Sequence, residues 1–272
     1  MEAGDPTVEA LRKELADRDA RITRLNAGLE RLRSEAERLK TRLLQRDEAI
    51  KFLRMELSYL SPDPAKQRMW WDAQFAGPWE ANSGPAQSTY FMQRLVEGLG
   101  DVERRFLYSR RLRVLDWGCA TGDGLRVLAD AFPECDAVGM DLSQIAVETA
   151  QRKFPDLSFV STPDGELHDE FDVIVTSNTL EHFAQPIEWL QRLLAAARWL
   201  VVVLVPYREA PLMEGHKASF SEETFPPVLG GFTRLYARLI PCDAQFWAGA
   251  QIQAAYGSPA YLAQAGPSGP DA

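Results

Sequence analysis

The sequence predicts an α/β protein: a doubly wound, mostly parallel sheet of seven strands, preceded by a long N-terminal coiled-coil helix. Three observations predict it. A heptad pattern runs from residue 8 to residue 60, short apolar strands alternate with amphipathic helices over residues 113–205, and several of those strands end in an acid or a small polar residue. Alternating strand and helix gives a sheet covered on both faces.

The heptad pattern is read in alternating strides of three and four from Val8 through Leu11, Leu15, Ile22, Leu25, Leu29, Leu32, Leu39, Leu43, Ile50, Leu53 and Leu57 to Leu60. Only Arg18, Ala36 and Arg46 interrupt this apolar seam. It is sustained over about eight heptads, more than the three or four that separate a coiled coil from an ordinary amphipathic helix. Residues 1–61 are therefore expected to be a helix that pairs with another, most simply as a parallel homodimer, with a partner protein or folding back onto the chain's own domain as alternatives. Pro62 and Pro64 end it.

Residues 62–112 read as a linker with aromatic-rich cap helices, holding Trp70, Trp71, Phe75 and Trp79 before a turn at 82–85 and a helix at 87–99. From there the pattern is regular. Strands are expected at 113–117, 136–140, 157–160, 171–176 and 201–205, with helices at 125–132, 144–154 and 187–197 between them. Ser143 is placed to cap the second of these helices. All-apolar runs such as VVVLV at 201–205 imply burial on both faces and hence parallel pairing. Residues 233–240 and 246–256 complete the sheet as an antiparallel pair, and 257–272 reads as a disordered tail.

Composition narrows the function. The formal net charge is −9; residues 1–60 are nearly balanced, with 13 Lys+Arg against 12 Asp+Glu, and the remainder carries 17 against 27. An acidic domain repels a phosphate backbone, so nucleic acid is not an expected partner. The three cysteines form no CxxC pair, no apolar run is long enough to span a bilayer, and no signal pattern opens the sequence, which together read as cytoplasmic without membrane insertion.

Three segments carry a resemblance. RVLDWGCATGDG at 113–124, VGMDLS at 138–143 and FDVIVTSNTLEHF at 171–183 resemble, in order and spacing, the cofactor motifs of class I S-adenosylmethionine-dependent methyltransferases. The resemblance implies a Rossmann-like domain over 113–256. It also implies a cofactor site at Asp116, Gly118, Cys119, Ala120, Gly122, Asp141, Leu142, Asp164 and Asn178. Asp116 suits the cationic amino-acid end of S-adenosylmethionine, and Asp141 offers two acceptor oxygens to the ribose hydroxyls. Leu142 lines the adenine, Asn178 supports the methionine end, and Asp164 either reaches the adenine amino group or simply shapes the Pro163-Asp164-Gly165 turn. Ala120 replaces a glycine common in the family, and the usual glycine pair before the fifth strand is absent. A nicotinamide dehydrogenase fits poorly, because the loop is Gly118-x-x-x-Gly122-x-Gly124 and not GxGxxG.

Methyl transfer asks for an aligned nucleophile and a group to take its proton. His182, His216 and Glu181 are the candidates for that work, with Tyr207 a weaker candidate for acceptor contact. The alternative for His182 is an orienting hydrogen bond, and for His216 an ordinary loop position. His168 lies in a polar, solvated run, and the sequence shows no ligand cluster for a metal. The later segments VVVLVPYREAPLMEGHKASF at 201–220 and FWAGAQIQAAY at 246–256 resemble methyltransferases of surface-glycan and specialised-metabolite assembly, which implies a sugar, glycan or small-molecule hydroxyl as acceptor. A non-catalytic scaffold built around the coiled coil is the competing reading.

Overall fold

The structure is a computed structural model that describes residues 6–60, 64–163 and 165–265. It divides into two units, Met1–Leu57 and Ser58–Ala272.

The first unit is helical. α1 runs Pro6–Leu60 as one helix. Its heptad positions are open to solvent: Leu25 is 64 % exposed, Leu32 65 % and Leu53 65 %.

The second unit opens with four helices, over the segment read from the sequence as a linker with aromatic-rich cap helices: α2 (Pro64–Phe75), α3 (Pro78–Ala81), α4 (Gly84–Glu97) and α5 (Asp101–Tyr108). The sheet then alternates β1 (Arg113–Trp117), α6 (Asp123–Ala131), β2 (Asp136–Asp141), α7 (Gln144–Lys153), β3 (Ser158–Ser161), β4 (Phe171–Ser177), α8 (Pro186–Ala196) and β5 (Ala197–Pro206). Ser143 caps α7 as expected, its hydroxyl accepting from the Ala146 N–H at 3.1 Å. β6 (Val228–Leu229), β7 (Phe232–Pro241), β8 (Ala250–Gly257) and α9 (Pro259–Ala265) follow.

The strand order is β3-β2-β1-β4-β5-β8-β7-β6. β1 to β5 pair in parallel, and β8 runs antiparallel between β5 and β7. The sheet thus has eight strands where seven were expected; the addition is β6, too short to show a period in the sequence. β5 explains the layering. Leu200, Val202 and Leu204 join the core under α4 and α6, while Val201, Val203 and Val205 join the core under α8, the two-residue alternation of a strand buried on both faces.

The tail also differs from expectation. Residues 259–265 form α9 because Tyr261 is fully buried, packs edge-on against Phe106 at 5.0 Å and donates from its hydroxyl to Glu103. The final strand starts at Ala250, not 246, because Phe246 leaves the sheet to stack on Tyr90 at 4.2 Å. Among the described residues, no helix is long and apolar enough to cross a membrane.

Candidate functional site

The chain reverses direction across the sheet between β1 and β4, since β2 and β3 lie to one side of β1 and β4 and β5 to the other. Such a switch point leaves a crevice beyond the carboxyl ends of the strands. Here it opens into a chamber of about 1060 Å³ that touches the residues after β1, β2, β4 and β5 and is walled by Trp71, Phe75 and Trp79 from α2 and α3.

The floor at one end is the 118–124 loop. Gly118 and Gly122 adopt φ of 82° and 84°. A Cβ at Gly118 would come within 2.4 Å of the Thr179 hydroxyl, and one at Gly122 within 2.8 Å of the Phe159 ring. These glycines are needed both for backbone sign and for space. Ala120 sits between them at φ 49°, a left-handed conformation that costs an alanine roughly 1 kcal/mol or more. The loop is held by Asp141, whose Oδ2 accepts from the Ala120 N–H at 3.0 Å and whose Oδ1 accepts from the Ser143 N–H at 2.9 Å. Each oxygen keeps a lone pair for a further donor.

Asp116 is only 3 % exposed, lines the chamber and accepts no hydrogen bond from the described residues. Burial, then repulsion from Asp141, pushes its carboxyl up to about 7. Burial likewise raises Asp141 to about 6, against the opposing pull of its backbone hydrogen bonds. Cys119 is buried, and burial beside the two acids pushes its thiol up. Leu142 and Asn178 line the chamber, Asn178 at φ 51° with its backbone N–H on Leu204. Asp164 lies outside the described residues. Asp72 and Thr121, neither of them a predicted site residue, fasten the aromatic wall to the sheet. The Ser143 hydroxyl donates to Asp72 at 2.6 Å, and Trp79 Nε1 donates to Thr121 at 3.1 Å.

The other end gathers Glu181, His182 and His216. Glu181 and His182 stand on a single 3-10 turn after β4 (Leu180–His182), and His216 on the loop after β5. The two segments are laced together by the Lys217 and Ala218 N–H groups, which donate to the Glu181 carbonyl at 2.7 and 3.2 Å. One ligand atom from each of Glu181, His182 and His216 then lies within 4.8 Å of the others. His182 and His216 are 34 positions apart in sequence and adjacent only in the fold, so no ligand spacing marks the group in the sequence.

The three are held differently. Glu181 is 1 % exposed, and neither of its carboxylate oxygens has a hydrogen-bond partner among the described residues. Burial, with the nearby charge of Glu209 adding to it, raises Glu181 to about 8. His182 directs Nδ1 at the Gly215 carbonyl, 2.8 Å away, where the Tyr59 hydroxyl also donates. Burial lowers His182 to about 3, so it is neutral at physiological pH. His216 directs Nδ1 at Glu209 Oε2 at 2.6 Å, and Glu209 is fixed in turn by the Met213 N–H at 2.8 Å. Glu209 was not singled out in the sequence, because its place behind His216 is set by the fold and not by any ligand or catalytic spacing. Tyr207 lines the chamber, but its hydroxyl is engaged by Glu222 at 3.0 Å. His168 is exposed and far from this group in the chain's loop order, on the segment before β4.

Comparison with known proteins agrees with the fold. Residues 115–198 match the family model described as a methyltransferase domain. The trans-aconitate 2-methyltransferase of Deinococcus radiodurans is 29 % identical over 127 residues, covering 45 % of this chain and 48 % of that protein. The Variovorax paradoxus protein of the same name is 27 % identical over 140 residues, 49 % of this chain and 54 % of its own. The chain thus spans about half the length of the curated relatives it matches. Among solved structures, the 1,6-didemethyltoxoflavin-N1-methyltransferase of Burkholderia thailandensis superposes with a TM-score of 0.54 at 18 % identity, covering 73 % of this chain and 91 % of that one. The magnesium protoporphyrin IX methyltransferase of Synechocystis PCC 6803 superposes with a TM-score of 0.50 at 15 % identity, over 73 % and 98 %.

Proposed function

We infer that this chain, which has the class I methyltransferase fold and a matched methyltransferase domain, transfers a methyl group from S-adenosylmethionine to a hydroxyl of a sugar, glycan or other small molecule. The observation that carries the cofactor half is the pair of buried acids at the ends of β1 and β2 beside a backbone loop kept free of side chains. These residues fit the cofactor: Asp116 is a buried carboxylate with no partner of its own, and Asp141 has one open lone pair on each oxygen. S-adenosylmethionine supplies a methyl on a cationic sulfonium, and transfer leaves the electron pair of the broken S–C bond on sulfur.

In this reading Asp116 receives the amino-acid ammonium, and Asp141 the two ribose hydroxyls. Gly118, Cys119, Ala120 and Gly122 give the backbone floor, Leu142 lines the adenine, and Asn178 supports the methionine end. The aromatic wall of Trp71, Phe75 and Trp79 lines the chamber with apolar surface, and displacing water there strengthens the charges beside it. Glu181, His182 and His216 form the polar corner where the acceptor oxygen sits and its proton departs.

A neutral acceptor is favoured over a carboxylate by the state of the chamber's cations. Arg192 is paired with Glu166 at 2.7 Å, and Arg208 lies 3.7 Å from Glu222, so neither is spare. Trp71, Trp247 and Phe246 present flat apolar faces that suit the C–H face of a sugar or a planar ring. The uncovered seam of α1 fits a second copy of the same helix, because identical heptads bury identical Leu and Ile positions against each other.

Calorimetric titration with S-adenosylmethionine, S-adenosylhomocysteine and NAD tests the cofactor half. Both adenosyl ligands are expected to bind and NAD not to. Asp141→Ala, which removes two charged hydrogen bonds worth about 3 kcal/mol together, is expected to weaken adenosyl binding about 100-fold. Binding of NAD alone, or of nothing, overturns the reading.

A further inference from the structure

We propose that Glu181, His182 and His216 form a binding site for a divalent transition-metal ion at the acceptor end of the chamber. The proposal deepens the methyl-transfer reading, since it places the ion where the acceptor would sit, but the site is argued from its own geometry.

The first argument is proximity with the right chemistry. Two imidazoles and one carboxylate bring one ligand atom each within 4.8 Å of one another. Two histidines and a glutamate are a ligand set suited to a borderline dication such as Zn²⁺, which leaves a coordination position open when only three protein groups bind it. An ion bound at about 2 Å from each group draws the three atoms to roughly 3.4 Å apart. The cluster therefore has to tighten by about an ångström, within the reach of side-chain rotation.

The second argument is the tautomers. A carbonyl or carboxylate oxygen only accepts, so the ring nitrogen facing it carries the proton. His182 Nδ1 faces the Gly215 carbonyl at 2.8 Å and, at a longer 3.2 Å, the Tyr59 hydroxyl, whose own proton is given to that same carbonyl and which is left to accept; His216 Nδ1 faces the Glu209 carboxylate. Both rings thus keep the proton on Nδ1. Nε2, which no hydrogen bond among the described residues engages, carries a free lone pair on each. An imidazole locked by a carboxylate or carbonyl behind it is the usual arrangement of a metal-bound histidine, fixing ring orientation and raising basicity. It occurs here twice, on two rings whose centroids are 5.1 Å apart.

The third argument is Glu181 itself. It is fully buried, borders the chamber and has two oxygens without a partner. A buried carboxylate with no donor is costly to leave in place unless something else satisfies it. No Lys or Arg of the described residues forms an ion pair with it. Lys217, the nearby cation, donates to the Tyr59 carbonyl at 2.7 Å and lies over the Tyr59 ring. A dication supplies the missing partner, and the free Nε2 lone pairs are the histidine donors left to bind it.

The test uses the full chain, stripped with chelator and titrated with Co²⁺, whose visible d–d bands report nitrogen and oxygen ligation directly. One ion per chain is expected, and Zn²⁺ should displace it. Glu181→Gln keeps the shape and His216→Ala lies on a loop, so both variants should fold; each is expected to weaken Co²⁺ binding at least tenfold. Glu209→Gln, which touches no ion and only orients His216, is expected to weaken it by about 10-fold. S-adenosylhomocysteine binding serves as the folding control in all three. Absence of d–d bands in the parent protein, or equal Co²⁺ affinity in parent and variants, overturns the site. Co²⁺ binding without adenosyl-ligand binding would retain the metal site and dismiss the methyl-transfer reading, so the two failures are separable.

Discussion

The two ends of the chamber are built by different means. The cofactor end is made from backbone: a five-residue loop between β1 and α6, two acids at adjacent strand ends, and glycines whose missing Cβ atoms leave room for Thr179 and Phe159. The acceptor end is made from side chains on separate segments. Glu181 and His182 come from one turn, Glu209 and His216 from a loop some 30 residues later, and Tyr59 from the far end of α1, all brought together by long-range hydrogen bonds. A backbone site tolerates no substitution but leaves a local pattern in the sequence. A side-chain site tolerates drift in spacing and leaves none.

That contrast is open to direct attack. The largest effect is expected at Gly118. Gly118→Ala places a Cβ against Thr179 in a left-handed backbone, which should cost about 2 kcal/mol or more of stability. Adenosyl-ligand binding should fall below detection, read by thermal melting and calorimetry together. If the variant binds normally, the cofactor end is not set by backbone room.

The pH response sharpens the comparison next. Asp116 is raised to about 7 and Asp141 to about 6, while an unfolded aspartate titrates near the ordinary value of 3.8. Between those values the ligand-free native state holds more protons than the unfolded state, so its stability should fall as pH rises through that window. Cofactor binding should run the other way. A cationic ligand prefers the ionised acids, so affinity should drop as pH falls through 7 and again through 6. Asp116→Asn should remove the upper step and leave the lower one. A binding profile flat from pH 5.5 to 8 would contradict a role for either acid.

The smallest effect on the chamber is expected from the most exposed apolar surface in the chain. Leu25→Lys with Leu29→Lys puts charges on the seam of α1, where both leucines are exposed in the single chain at 64 % and 47 %. Sedimentation equilibrium should shift from dimer to monomer, with adenosyl-ligand affinity changed by less than a factor of two. An unchanged mass would argue that something other than a second copy covers the seam.

How much of this was legible follows from the same physics. The strands from β1 to β5, their acids and the loop glycines were readable because a parallel, doubly buried sheet demands continuous apolar runs and its crossing point demands small residues. β6 was not, because two residues carry no period. Nor was α9, whose helix depends on one tyrosine finding Phe106 and Glu103 across the fold. Candidate residues Glu181, His182 and His216 could be named from their positions after strands. Their convergence, and the part played by Glu209 and Tyr59, could not.

The sequence alone determined that a long heptad helix precedes an α/β domain and that two acids stand at the ends of its first two strands, because periodicity and local backbone needs are written in neighbouring residues. Only the tertiary structure decided that a carboxylate and two imidazoles share one corner and which ring nitrogens are committed. Those facts depend on which carbonyl or carboxylate a distant segment brings behind each ring, and no local pattern records it.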